Sequence, residues 1–183
     1  MNSNDRIVIY RSKTGFTKRY AKMIAAELQC AFVDYKEVKA KTLSQYHTII
    51  FGTHAHAGMI DGYQKLKKLF GQHTSSRIIL FVTGATPNAD TDVIKSFWSQ
   101  NLTAQELVEI PHFYMQSGLC YEEMSLMDRM MMKVVARMIK NKKDKSPQDI
   151  AFEQAIKSSY DISSKIYIEP LITYLKTIES KKG

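Results

Sequence analysis

Three hydroxyl side chains and a glycine lie close together near the start of the chain, between an apolar run and a helical pattern. They belong to the segment Ser12-Lys13-Thr14-Gly15-Phe16-Thr17. The first N–H groups of a helix lack intrahelical partners and carry the positive end of the helix dipole, so this position favours an anion. The segment suits a phosphate monoester, or alternatively its hydroxyls only cap the helix. Its spacing matches neither the P-loop nor the three-glycine dinucleotide motif.

Short apolar runs alternating with longer helical patterns position this segment. We predict five strands, at 6–10, 31–34, 48–52, 78–82 and somewhere between 108 and 118. Helices are predicted near 16–28, 62–70 and 90–99, the last with Asp90 as its cap. Crossovers of this length join parallel strands, so the pattern predicts an α/β fold with helices on both faces of a parallel sheet. The hydroxyl-rich segment then lies at the carboxyl edge of the sheet, where such folds bind ligands.

The chain after Gly118 is predicted to be helical. One segment runs to about Ile139 and another from about Ile162 to Ile178, with a polar loop at 141–147 between them. Pro170 falls inside the second pattern and is expected to kink or interrupt it. The tail at 179–183 is expected to fray. A chain of 183 residues with no internal boundary is expected to form a single domain, 1–183.

Composition narrows the class of protein. No apolar run reaches the roughly 18 residues of a membrane-spanning helix and the polar start is no signal peptide, so we expect a cytoplasmic protein. Cys30 and Cys120 form no CxxC pair and are expected to be reduced thiols. A net charge of +8 attracts acidic partners, anionic membranes or nucleic acid. No nucleic-acid-binding module is recognisable, so a nucleic-acid partner is not expected.

The stretch VIYRSKTGFTKRYAKMI, residues 8–24, resembles the flavodoxin signature. An apolar pair, an aromatic, a serine, a small residue, a threonine and an alanine follow one another at the signature's spacing. The resemblance implies a flavodoxin-like three-layer sandwich with a five-stranded parallel sheet of order 2-1-3-4-5. It also implies flavin mononucleotide (FMN) as the cofactor. Carried over position by position, it makes phosphate ligands of Ser12, Lys13, Thr14, Gly15, Phe16 and Thr17.

In a flavodoxin-like order, the loops after the third and fourth strands wall the flavin crevice. The resemblance therefore adds two groups of cofactor-binding candidates: Thr53, His54, Ala55, His56, Ala57 and Gly58, and Thr83, Gly84, Ala85, Thr86 and Asn88. Small residues let backbone approach the ring, and the two imidazoles could donate to its carbonyls.

Other interpretations of these loops stay open. The histidines are alternatively surface residues or a metal pair, but a third ligand of recognisable spacing is missing and no metal site is predicted. The second loop is alternatively a plain turn. Neither loop carries an aromatic residue where one would stack on the flavin. One flavin face is therefore expected to be open, which suits hydride transfer to or from a substrate.

A second motif lies between Gly118 and Lys133. It has a glycine, a nearby tyrosine and Asp128-Arg129 opening a helix rich in methionine and lysine. It resembles the quinone-linked protoporphyrinogen IX dehydrogenases, a branch of the flavodoxin-like superfamily. That resemblance implies an oxidoreductase of haem biosynthesis that passes hydride from a porphyrinogen to FMN and on to a quinone. The candidates next to the reaction are then His54, His56 and Tyr121, although a histidine-bearing loop departs from the arginine-bearing loop of that branch.

The helix of this motif is amphipathic and basic. One arc carries Met127, Met130, Met131, Val134 and Met138, and the opposite arc carries Arg129, Lys133, Arg137 and Lys140. The apolar arc either packs into the core or docks on a membrane surface or a partner. Membrane contact through residues 124–140 would place the protein peripherally at the inner face of the membrane.

A different class of function competes with the enzyme. A non-catalytic electron carrier would have the same cofactor and fold, but carriers of this kind are typically acidic and meet basic partners, the reverse of the charge found here. The sequence predicts no oligomeric state.

Overall fold

A five-stranded parallel sheet forms the centre of the protein, for which a computed structural model describes residues 5–39, 43–70, 76–145 and 147–180. The parallel strands are β1 Arg6–Tyr10, β2 Ala31–Asp34, β3 Thr48–His56, β5 Arg77–Gly84 and β6 His112–Gln116. A two-residue strand, β4 Met59–Ile60, pairs antiparallel with the end of β3. The order is β2-β1-β3-β5-β6. Counting the parallel strands alone, this is the predicted order 2-1-3-4-5, so the predicted fold class is confirmed.

Seven α-helices of the described residues surround the sheet. They are α1 Phe16–Leu28, α2 Tyr63–Phe70, α3 Thr91–Asn101, α4 Ala104–Glu109, α5 Leu126–Lys140, α6 Pro147–Ala155 and α7 Glu169–Ser180. Side chains of a strand alternate between faces, so Val8 and Tyr10 join one apolar cluster while Ile7 and Ile9 join the other. Residues of α1 and α7 complete the first cluster, and residues of α2 and α3 complete the second. These are the predicted three layers.

The structure departs from the sequence prediction mainly after Gly118. Gly118–Leu119 forms a short strand, β7, that pairs antiparallel with β8, Tyr160–Asp161. The polar stretch predicted as a loop is followed at once by α6, which was not predicted; neither was α4. Pro170 lies in the first turn of α7, where it removes no helical hydrogen bond. It therefore marks an interruption of the helical pattern and produces no kink.

Two smaller expectations also need correction. Asp90 stands at the N-cap of α3, but its side chain makes no capping hydrogen bond. Glu179 does not fray: it belongs to α7 and its carboxylate lies 2.9 Å from the Arg6 guanidinium. The rest of the predicted tail, 181–183, lies outside the described residues. Among the described helices, none is both long and apolar enough to cross a membrane.

Candidate functional site

The loop between β1 and α1 is built as a cradle of backbone donors. Gly15, at the N-cap of α1, has φ 88°, and its N–H donates to Ser12 Oγ at 3.1 Å. The first helical bond runs from Arg19 N–H to the Gly15 carbonyl at 3.0 Å. The N–H groups of Phe16, Thr17 and Lys18 therefore precede any helical acceptor. None of them has a hydrogen-bond acceptor among the described residues. This donor set, at the positive end of a helix, fits an anion.

The side chains of this loop divide between the cradle and the core. Thr17 is 1% exposed, and its hydroxyl lies 2.9 Å from that of Thr83 on β5. Phe16 is mostly buried, and with Lys13 and Thr14 it lines a cavity next to the loop. Ser12 Oγ accepts from Gly15, which leaves its own O–H able to donate, whereas the Thr17 hydroxyl pairs with that of Thr83. The phosphate-binding roles of these hydroxyls stay predictions.

The two predicted histidines stand on a strand, not on an open loop. β3 continues to His56 and closes in a two-residue turn at Ala57 and Gly58, with φ values of 49° and 78°. Positive φ at both central residues is the geometry of a tight hairpin whose twist matches that of the flanking strands. Because side chains alternate along a strand, His54 and His56 face the same side. Thr53, facing the other way, is buried and donates to the Asp61 carbonyl at 2.7 Å.

Two carboxylates link these histidines to the phosphate loop. Asp61 Oδ2 lies 2.5 Å from Arg11 Nε and 3.8 Å from His54 Nε2. Asp128 binds the Lys13 ammonium through Oδ2, and its Oδ1 lies 3.6 Å from His56 Nε2. The hydrogen bond from Lys13 is the main reason why the pKa of Asp128 is lowered to about 2. Each carboxylate thus lies between a cation of the β1–α1 loop and a histidine of β3.

His54 carries the clearest sign of a missing partner. Its Nδ1 is buried and has no hydrogen-bond partner among the described residues. Burial lowers the pKa of His54, and the nearby Asp61 carboxylate only partly offsets that effect, so the ring is neutral at pH 7. A neutral imidazole nitrogen can donate or accept, which fits the edge of a polar ring. Within the described ranges, no group of three His, Cys, Asp or Glu side chains could hold a metal ion.

The loop after β5 is a turn held by its own protein contacts. Thr83 and Gly84 end β5, and Ala85 lines the cavity. The N–H of Thr86 donates to the Tyr114 hydroxyl at 3.1 Å. Asn88 pairs with Gln116 twice, through its N–H at 3.0 Å and its Oδ1 at 3.1 Å. The predicted amide donors at Thr86 and Asn88 are therefore already used, and the turn interpretation holds for them.

The third predicted reaction residue, Tyr121, makes hydrogen bonds to another part of the chain. Its hydroxyl donates to the Ile156 carbonyl and its N–H donates to Ser159 Oγ at 2.9 Å. These bonds tie the segment after β7 to the segment before β8. Tyr121 is not among the described residues that line the cavity beside His54 and His56, and its place next to the reaction stays a prediction.

A cavity of about 210 Å³ lies between the phosphate loop, the ends of β3 and β5, and a roof that the sequence did not reveal. The roof consists of α5 and α6, and its side chains over the cavity are Met131, Met132, Phe152 and Asp128, with Met124 just before α5. Cys120 also lines it. Next to it, a groove of about 930 Å³ runs between residues 85–93, α6 and β8. Asp128 and its neighbours in the second motif were the only sequence signal for the roof.

The apolar arc of α5 faces solvent. Met127 is 82% exposed, Met130 67% and Met138 68%, and none of the residues of α5, all of which the structure describes, is buried. The interpretation of this helix as core-packed is therefore wrong.

Several solved structures are similar to this chain. An archaeal flavodoxin is 14% identical, covers 83% of this chain and 98% of its own, and has a TM-score of 0.40. The WrbA-like flavodoxin of Agrobacterium tumefaciens is 19% identical over 67% of this chain and 86% of its own, with a TM-score of 0.40. The rubredoxin:oxygen oxidoreductase of Desulfovibrio gigas is 14% identical over 85% of this chain but only 37% of its own, with a TM-score of 0.41.

At such identities and scores, these similarities carry no argument about activity. No curated protein matched the chain. The family model described as "Flavodoxin domain" matches residues 7–146, which include the phosphate loop, both histidines and α5. A match of this extent supports a flavin cofactor and a redox role, and it shows that the chain belongs to the flavodoxin domain family.

Proposed function

We propose that the protein binds FMN at the carboxyl edge of its sheet and acts as an FMN-dependent oxidoreductase. The observation that carries the proposal is that one small cavity is lined both by the loop that leads into the unpartnered amides of α1 and by His54, whose Nδ1 has no partner among the described residues. The first suits a phosphate monoester and the second a polar ring edge. FMN carries both groups on one molecule.

Residues of three elements would hold this cofactor. The backbone amides of Phe16, Thr17 and Lys18 would bind the phosphate, and Lys13 would add positive charge. The end of β3, with His54, would meet the pyrimidine edge of the flavin, and Ala55, Ala57 and Gly58 leave room for the ring near the backbone. When bound, the flavin supplies hydride and single-electron chemistry. A neutral donor at His54 would stabilise negative charge on the reduced ring.

A flavin titration tests the cofactor. FMN fluorescence should be quenched on addition of the protein, and riboflavin, which lacks the phosphate, should bind much more weakly. A Lys13→Gln variant should weaken FMN binding relative to riboflavin binding, while Lys65→Gln on the exposed face of α2 should change neither affinity. Equal affinity for FMN and riboflavin would contradict the phosphate site.

The substrate belongs to the same proposal. We propose that hydride passes from a porphyrinogen to FMN and then to a quinone, in the manner of the quinone-linked protoporphyrinogen IX dehydrogenases. The groove of about 930 Å³ next to the cavity has the apolar side chains Pro87, Val93, Phe152, Tyr160 and Ile162, which support an apolar ring as substrate, and Asp90, Asp92 and Asp149 line the same groove. The net charge of +8 argues against the alternative, an electron carrier that meets basic partners.

Anaerobic spectroscopy distinguishes the proposed enzyme from an electron carrier. With the FMN-loaded protein, protoporphyrinogen should bleach the flavin absorbance, and a quinone should then restore it. A Val93→Glu variant, which places a charge in the groove at a residue 56% exposed, should slow bleaching but leave FMN affinity unchanged. Flavin that is reduced by a reductase protein but not by protoporphyrinogen would favour the carrier.

We also propose that α5 contacts an anionic membrane surface. Its apolar arc is exposed and its opposite arc carries Arg129, Lys133, Arg137 and Lys140, the combination of an apolar and a basic face by which amphipathic helices bind anionic lipid. Vesicles containing phosphatidylserine should retain the protein, and neutral vesicles should retain less. Lys133→Glu with Arg137→Glu should abolish retention, whereas Lys65→Glu with Lys68→Glu, the same charge change on α2, should weaken it only slightly. Equal losses of vesicle binding in the two double variants would mean that net charge alone explains the binding.

A further inference from the structure

We propose that Asp128 is a latch: its carboxylate holds the roof helix α5 against the cofactor cradle, and cofactor loading releases it. Asp128 is a positioning residue in this proposal, because it acts through Lys13 and His56 and not on a substrate. The inference rests on the proposed FMN site, and the experiments below separate the failure of one from the failure of the other.

The contacts of Asp128 all converge on the site. Its carboxylate binds the Lys13 ammonium, lies 3.6 Å from His56 Nε2 and accepts from Ser125 Oγ at 2.7 Å. Lys13 belongs to the phosphate loop and His56 to the end of β3, whereas Ser125 caps α5 itself. One side chain, only 13% exposed, thereby joins the start of α5 to both walls of the cavity.

Beyond Asp128, α5 has no fully buried contact that holds it in this position. No residue of this fully described helix is buried, and Met132, Val135 and Ile139 are half-buried, so the hydrophobic effect contributes less to its docking than it does for a core helix such as α1. The ion pairs Lys142–Asp149 and Lys145–Glu153 involve α6 and the connection between the two helices, and so strengthen the roof internally without attaching it to the sheet. A helix without a fully buried side chain can open at a lower free-energy cost than a core helix, because local stability follows apolar burial.

The space beneath the latched roof is one part of a larger site. The cavity under the roof has a volume of about 210 Å³, and a neighbouring cleft of about 300 Å³ shares Lys13, His54 and His56 with it. Met131, Met132 and Phe152 form the upper wall of the cavity. In this proposal, a flavin ring that enters beneath these side chains raises the roof, which separates Asp128 from Lys13 and His56.

The phosphate group gives the cofactor a means to break the latch. A phosphate held by the loop amides brings negative charge next to Lys13, where it competes with the Asp128 carboxylate for the ammonium and repels it. The latched roof and the bound cofactor then exclude one another. By linkage, whatever weakens the latch must strengthen cofactor binding.

Asp128→Asn tests the latch because it keeps the shape and removes the charge. We expect FMN to associate faster with this variant and to bind about tenfold more tightly, the change that 1.4 kcal/mol gives. Asp128→Glu should restore the wild-type affinity. Asp144→Asn, the same charge change at an exposed residue of the α5–α6 connection, should leave the affinity unchanged. A merely structural role would produce the opposite sign, so weaker or unchanged FMN binding by Asp128→Asn overturns the proposal.

Hydrogen exchange of α5 distinguishes the latch from the cofactor site. Without any ligand, amides of α5 should exchange faster in Asp128→Asn than in the wild type, while those of α1 exchange alike. If the wild type fails to bind FMN but this difference is found, the proposed cofactor is wrong and the latch stands. If FMN binds and α5 exchanges alike in the two proteins, the latch is wrong. Inorganic phosphate, used as a second probe on the wild type, should by itself accelerate exchange in α5.

Discussion

The site lies between two helices that are held in place in different ways. α1 begins at the phosphate loop and buries Phe16, Thr17, Tyr20, Ala21, Ile24 and Ala25. α5 begins on the opposite side of the cavity and, over its whole described length, buries none. One wall is therefore fixed by the hydrophobic core, and the other is positioned by charged contacts. A binding site built in this way combines a rigid donor set with a wall that can move.

Truncation of core side chains should show the largest contrast. Ile24→Ala on α1 removes a fully buried side chain and is expected to lower the free energy of unfolding by about 2–5 kcal/mol. Met130→Ala on α5, at a residue 67% exposed, should change it by no more than about 0.5 kcal/mol. Urea unfolding measures both. Comparable losses would mean that α5 is docked as firmly as α1.

The buried hydroxyl pair of Thr17 and Thr83 should show the next largest effect on stability. Thr83→Val leaves the buried Thr17 hydroxyl without its partner and is expected to cost about 1–3 kcal/mol of unfolding free energy. The double variant Thr17→Val with Thr83→Val removes both hydroxyls and should cost less than the single change. A double variant that is less stable than either single one would show that the pair is not the reason for the loss.

Backbone strain at the start of α1 should have a smaller effect. No atom lies within 4 Å of the position that a Cβ on Gly15 would occupy, but φ there is 88°. Gly15→Ala is therefore expected to cost about 1–2 kcal/mol through left-handed backbone alone. Thermal or urea unfolding measures the loss, and hydrogen exchange should place it in α1 and leave α5 unaffected. If Gly15→Ala leaves the free energy of unfolding unchanged, the loop relaxes out of the geometry described for its backbone donors.

The pH dependence of His54 should be the smallest effect, because Asp61 offsets part of the burial that lowers its pKa. The folded protein holds His54 neutral, so below about pH 6.5 the unfolded chain binds more protons at this residue and stability falls. His54→Gln should flatten the decrease in unfolding free energy between about pH 7.5 and about pH 5.5. Identical pH profiles for the variant and the wild type would assign the decrease to other groups.

The parts of the structure that local pattern dictates were predictable. β1, Arg6–Tyr10, and α1 have their predicted bounds, because a β-branched run and an amphipathic pattern with clear ends specify them. The two-residue strands β7 and β8 have no such pattern, and α6 follows a polar stretch that reads as a loop. The histidines were expected on a loop, since nothing in the segment after Phe51 reveals that Met59–Ile60 would pair back onto the strand.

The candidate site was predictable only where it is local. The phosphate loop lies within one short segment, whereas the Lys13–Asp128 contact joins residues 115 positions apart and depends on how the roof folds back over the sheet. Tyr121 illustrates the converse: its place within the second motif suggested a role in the reaction, but its hydroxyl donates to the Ile156 carbonyl. Residue type identified candidates, and tertiary packing decided among them.

The two cysteines lie in different surroundings, and this difference makes one of them a chemical reporter. Burial raises the pKa of the Cys30 thiol to about 11, so at neutral pH it holds almost no reactive thiolate. Cys120 lines the cavity beneath the roof. A thiol-directed fluorophore should therefore label the natural chain mainly at Cys120, and bound flavin should protect it. The speed of labelling would then follow the opening and filling of the site in the unmodified sequence.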